Sequence, residues 1–304
     1  MTGDAITAAS ASDKVQQGLS EVRTTVLGGQ ILLGFQYNAL FQGRFASLAE
    51  GYRVLALAGF VTMLAAVMLM IAPASFHQIS EAGERSQRQA RAIEIFMLVS
   101  LAPFGLGVGM NIVVATGRTL GPLRATAAAV GVVLVAAGLW YGIEIMAKKN
   151  TAPASEPPAP TSLKDQISDL MTEGRIVLPG VQALLGIQFL AFLNEAFEKL
   201  PAEAKAAHTG ALLLLLLAMI LLMTPPPFHR LAEDGRETQR LRALSQRCIL
   251  IALALLSFAF AADLFVGVTV VTHDLRIAGA AAAAVVTLSL SLWFVLPLLV
   301  RRRG

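Results

Sequence analysis

Apolar residues along this chain gather into eight runs, each close to the roughly 20 residues that a helix rising 1.5 Å per residue needs to cross about 30 Å of hydrocarbon. They predict helices near 25–43, 53–73, 92–116, 124–147, 176–195, 208–225, 248–271 and 277–300. Stretches such as Val54 to Pro73 and Ala211 to Met223 carry no formal charge, which suits a bilayer and not the outer surface of a soluble domain. Charged residues collect in the connections instead.

The connection after the fourth run, Asn150 to Ser162, reads NTAPASEPPAPTS. Its prolines and small polar residues neither nucleate a helix nor supply a core, so 150–162 is expected to be a cytoplasmic linker between residues 1–149 and 163–304. The two flanking parts repeat one another. A shift of 152 residues aligns Glu21, Arg23, Gly28, Gln30, Leu32, Leu33, Gly34 and Gln36 with Glu173, Arg175, Gly180, Gln182, Leu184, Leu185, Gly186 and Gln188, eight identities in sixteen positions. Chance gives about one in ordinary composition. Without a gap, the same shift pairs Pro73 with Pro225, Phe76 with Phe228, His77 with His229, Gly83 with Gly235, Asn111 with Asp263 and Arg124 with Arg276. The predicted fold is therefore an all-α integral membrane protein: two four-helix repeats, eight transmembrane helices in all. Four spans return the chain to its starting side, so the copies are parallel and related by a pseudo-twofold axis along the membrane normal.

Charge fixes the orientation. With the N-terminus inside, 17 of the 24 Lys and Arg residues fall on the cytoplasmic side, the excess that sets topology on short loops. Both termini are thus expected in the cytoplasm, with the chain multi-pass in the inner (plasma) membrane. The polar stretch Met1 to Arg23 lacks the apolar core of a signal peptide, so the first hydrophobic helix is expected to serve as the insertion signal.

Composition agrees, with 56% apolar and 14% charged residues and a mean hydropathy of +0.66, against about 25% charged in soluble domains. The net charge of +4 is scattered over short loops with no basic stripe, which speaks for topology and against nucleic-acid binding. The single Cys248 has no partner for an intramolecular disulfide.

The pattern E-x-R-x-x-x-x-G-x-Q-x-L-L-G-x-Q at the first helix, with P-x-x-F-H closing the second, resembles an uncharacterised bacterial family, domain of unknown function 6328. The likeness covers each half separately, and this chain departs from single four-helix members by carrying two fused copies. The resemblance implies a bacterial inner-membrane protein. Some relatives carry a sodium/proton antiporter label, an activity for which no motif in this chain speaks.

Candidate chemistry lies among the polar residues inside the spans. Helices one and five hold Gln30, Gln36, Gln182 and Gln188, whose amides would be unsatisfied against lipid and should turn inward. At 100° per residue Arg23, Gln30 and Tyr37 share a face, as do Arg175, Gln182 and Phe189. The glutamines either fasten helices together across the pseudo-dimer interface or line a polar path on its axis. Asp263, well inside helix seven, is a costly residue there and so a functional candidate, although the other copy has Asn111. Glu21, Arg23, Glu173 and Arg175 mark a cytoplasmic mouth, as lipid anchors or as gating ion pairs. His77 and His229, after the helix-ending prolines, either cap carbonyls or sense pH.

No metal-ligand spacing, phosphate-binding glycine loop or serine elbow occurs. No catalytic residue, metal or cofactor is therefore expected, and the chain reads as no enzyme. Two function classes stay open: a transporter or channel for a small ion or solute, with proton coupling conceivable, or a non-transporting module that packs in the membrane or binds a partner.

Overall fold

Helix dominates because each apolar run satisfies its own backbone hydrogen bonds, which lipid demands. A computed structural model describes residues 11–142 and 161–303. Its long helices are α1 (Ala11–Ala39), α2 (Glu50–Ile79), α3 (Gln87–Leu120), α4 (Pro122–Ala137), α5 (Leu163–Phe192), α6 (Ala202–Met223), α7 (Gln239–Thr272) and α8 (Leu275–Leu290). A wider turn, Gly138–Gly142, prolongs α4, and a matching turn, Ser291–Val295, carries α8 into a last helix, Leu296–Arg303. Most of the expected linker, 150–160, lies outside the described residues.

Several helices overrun the apolar windows that predict them. α1 begins at Ala11, α5 at Leu163 and α7 at Gln239, each before its hydrophobic run. Hydropathy locates the lipid-matching stretch, whereas caps decide where a helix starts. Ser86 and Thr238, equivalent in the two copies, accept from the amides of Gln89 and Leu241 to open α3 and α7. Ahead of them the same turn is built twice: Ala82 and Gly83 have positive φ, as do Asp234 and Gly235. The amides of Gly83 and Gly235 close these turns onto the carbonyls of His77 and His229.

Among the described residues, seven helices are long and apolar enough to cross a membrane. α1 is not one of them, because Gln30, Gln36 and Asn38 interrupt its apolar run. It packs lengthwise on α5, and these two join the halves of the molecule. Within each half, α2 lies on α3 and α6 on α7, with α4 and α8 outermost.

The halves differ in what surrounds them. α2 also meets α7 and the segment after α8, where the buried Trp293 donates its indole N–H to the Met68 carbonyl at 2.9 Å. No comparable contact joins α3 to α6 among the described residues. The second helix differs too: α2 runs unbroken through Pro73, but α6 stops at Met223 and resumes as Pro225–Leu231. One proline removes one amide from a helix, whereas Pro225, Pro226 and Pro227 in sequence force a fresh start.

Candidate functional site

At one end of the bundle α5 carries three acidic residues, Asp165, Asp169 and Glu173, at four-residue spacing, so they line one face. The turn after α2 meets that face. Glu173 and His77 are both fully buried, with His77 Nδ1 2.5 Å from Glu173 Oε1. The Gln78 amide donates to the other Glu173 oxygen at 2.8 Å. One turn earlier, the Arg85 guanidinium grips Asp169 with two bonds of 2.7 and 2.8 Å. Gln166 donates to Glu84 at 2.7 Å. From α7, Arg242 and Gln246 donate to the carbonyls of Ala82 and Gln78. Paired and hydrogen-bonded in this way, the charges can stay buried.

Toward the other end, four helices converge on a second cluster. The Gln188 amide donates to Asp263 Oδ1 at 2.7 Å. His208 Nε2 faces the Gln188 carbonyl at 3.2 Å, and its Nδ1 lies 2.7 Å from the Tyr37 hydroxyl. A carbonyl only accepts, so Nε2 carries the proton in the neutral ring and Tyr37 donates to Nδ1. Asp263 is thereby joined to Tyr37 through Gln188 and His208. Phe41, Phe192 and Phe197 wall in the imidazole, with ring centroids 4.7 to 6.1 Å from it. Phe41 also lines a cavity of about 430 Å³ at that end of the bundle, with Phe45, Arg53, Asn194, Lys199 and Thr269.

Gln30 lies between the clusters. It is fully buried, neither of its amide atoms has a partner among the described residues, and it presses against α5 where Gly180 leaves room. At 1.5 Å per residue, Glu173 lies about 10 Å to one side of Gly180 and Gln188 about 12 Å to the other.

The residues singled out from sequence divide unevenly. Gln30, Gln36 and Gln188 are buried at 0%, 9% and 1% exposure. Gln182 is exposed and does not join them, and neither do Arg175 and Phe189 on its face. The apolar stripe through Val177, Val181, Leu184 and Leu185 decides which side of α5 turns inward, and Gln182 is about 100° away from Val181. Glu21 with Arg23, and Glu173 with Arg175, form no ion pairs, because residues two apart diverge on a helix. Glu21 accepts from Gln17 instead, and Arg175 donates to the Met171 carbonyl. His77 binds a carboxylate and not a helix-end carbonyl, whereas His229 has a buried Nε2 with no partner among the described residues. Asn111 donates to the Gly107 carbonyl on its own helix, so it does not reproduce the Asp263 contact.

Sequence reasoning missed His208, Asp169 and Arg85. Their signal was the difference between copies: His208, Asp169 and Arg85 stand where the other copy has Ala56, Gln17 and Glu237. A polar or charged residue that its equivalent does not match answers a partner that only one copy meets. Tyr37, opposite Phe189 in the alignment, is the fourth such case. Among the described residues, no group of three or more His, Cys, Asp or Glu side chains is placed to hold a metal ion.

The family described as "Family of unknown function (DUF6328)" matches this chain twice, over residues 8–144 and 160–297. No curated protein and no solved structure matches it.

Proposed function

We propose a function from the chain's own buried groups, since it belongs to a family of unknown function, DUF6328, carried here as two fused copies. The chain is an eight-span inner-membrane protein, with parallel repeats about an approximate twofold axis along the membrane normal and both termini in the cytoplasm. It moves protons, alone or coupled to a small ion or solute, along the α1–α5 interface.

The eighth span is α1. Its outward side chains at mid-length are Leu32 and Phe35, 39% and 60% exposed, while Gln30 and Gln36 turn inward. A helix apolar on its open side and polar on its packed side suits lipid. In this orientation the His77–Glu173 cluster is on the cytoplasmic side and the Asp263 cluster is on the periplasmic side.

One observation carries the transport reading: two buried clusters of titratable groups lie along α5, with the Gln30 amide of α1, unpartnered among the described residues, between them. A hydrogen-bonded chain passes a proton when each member both accepts and donates. His208 does so, accepting from Tyr37 and donating to the Gln188 carbonyl, and the Gln188 amide leads on to Asp263. The periplasmic cavity reaches Phe41, one ring from His208. Transport needs the tight middle section to open transiently.

A second reading rests on the Arg85–Asp169 and His77–Glu173 contacts, which tie α5 to the turn after α2. In it, the polar groups only fasten the two repeats and the chain is a non-transporting module. Proteoliposomes containing a pH-sensitive dye, with an imposed potential and a panel of ions, separate the two. Acidification above empty vesicles is expected, and its absence under every gradient favours the fastening reading.

A further inference from the structure

The break between α6 and Pro225–Leu231 opens a groove of about 690 Å³ against α5, at the end that holds the His77–Glu173 cluster. Its mouth carries Lys164, Arg175, His229 and Arg230 with a single acid, Glu237. Among the described residues, neither Lys164 nor Arg175 nor Arg230 has an ion-pair partner. Its floor is apolar, with Leu178, Leu222, Met223 and Ile249.

Among the described residues, this arrangement exists in one copy only. In the first repeat, α2 is continuous, His77 is tied to Glu173, and Gln78 stands at the position of Arg230. The second repeat thus keeps an unspent cluster of cations at the end of a membrane span, open on one side and running into an apolar trough.

We propose that this groove binds an anionic phospholipid, with the headgroup phosphate held by Arg175, Arg230 and Lys164 and an acyl chain along the Leu178–Leu222 wall. Arginine forks match phosphate oxygens in pairs, and the His229 Nε2, buried with no partner among the described residues, offers a further donor position. The trough selects a lipid over a free phosphate, because an inorganic anion would leave the apolar wall uncovered. The inference needs the chain to lie in a membrane but not to transport anything.

Native mass spectrometry of the detergent-solubilised protein, after equilibration with equal amounts of phosphatidylglycerol and phosphatidylethanolamine, tests the assignment. Preferential retention of phosphatidylglycerol is expected. Each basic side chain near a headgroup contributes about fivefold, so Arg175→Gln with Arg230→Gln should lower retention about twenty-fivefold. Arg276→Gln, outside the groove, should leave it unchanged. If the double variant does not yield a monodisperse protein, Lys164→Gln and Arg230→Gln singly should each lose about fivefold. Equal retention of the two lipids overturns the assignment, as does undiminished retention in the folded variants. Complete displacement of the lipid by millimolar inorganic phosphate would mark a free-phosphate site and also overturn it.

Discussion

Tyr37 and His208 are 171 residues apart, in different copies of the repeat, yet their side chains meet at 2.7 Å in the interior. Neither has a like counterpart, since Phe189 and Ala56 occupy the equivalent positions. Tyr37→Phe removes the donor to Nδ1 and strands a buried acceptor, which costs about 1–3 kcal/mol. A lower thermal midpoint in detergent is expected, together with slower proton flux. An unchanged midpoint would mean that water or another donor already serves Nδ1.

The contact between Asp169 and Arg85 makes a sharper stability prediction. Asp169→Ala removes two hydrogen bonds from a buried guanidinium, with the half-exposed Asp165 carboxylate still 3.7 Å away, and should cost about 3 kcal/mol, whereas Arg85→Met with Asp169→Leu removes both charges and should recover most of that loss. Thermal unfolding of the single and double variants measures the difference. Equal losses in both would show that the pair does not act as a unit.

Gly28 and Gly180 are equivalent in sequence but not in surroundings. A Cβ at position 180 would overlap the Gln30 amide, whereas one at position 28 meets nothing within 4 Å. Gly180→Ala is therefore expected to lose about 1–3 kcal/mol through overpacking, and Gly28→Ala to be neutral or to gain about 0.5–1 kcal/mol. The same unfolding assay reads both. Equal effects would contradict the observed register of α1 on α5.

These pairs mark what the sequence makes legible. Helices and duplication are read from apolar runs and a fixed offset, because both are local or periodic properties. The turn closing on His77 and on His229 is likewise repeated, since Gly83 and Gly235 write it into the chain. The face of α5 that turns inward is harder. Amide content favoured Gln182, but the volume of Val181, Leu184 and Leu185 outweighs one amide, leaving Gln182 outside. The partners of Asp263, His77 and Arg85 come from distant helices, and no spacing within either repeat encodes them. Averaging the copies hides half of the site, because Glu173, Gln188 and His77 repeat between them whereas their partners Tyr37, Arg85, Asp169, His208 and Asp263 do not.

Topology is open to direct chemistry. With the buried Cys248 replaced by alanine, Asp234→Cys should react with a membrane-impermeant maleimide only in inverted vesicles, and Gln42→Cys only in intact cells. Both positions are exposed at turns. The reverse labelling pattern would turn the protein over, and labelling of both from one side would remove α1 as a span.

Asp263 separates transport from fastening most directly. Asp263→Asn keeps the size of the side chain and an oxygen that can accept from Gln188, and it reproduces the residue type that the first copy carries at Asn111. It removes the one carboxyl group of the cluster that Asp263 forms with Gln188, His208 and Tyr37. Proton flux into dye-loaded proteoliposomes under a fixed potential should fall to that of empty vesicles in Asp263→Asn, with the thermal midpoint close to that of the unaltered protein. Flux equal to that of the unaltered protein would contradict proton movement through this cluster.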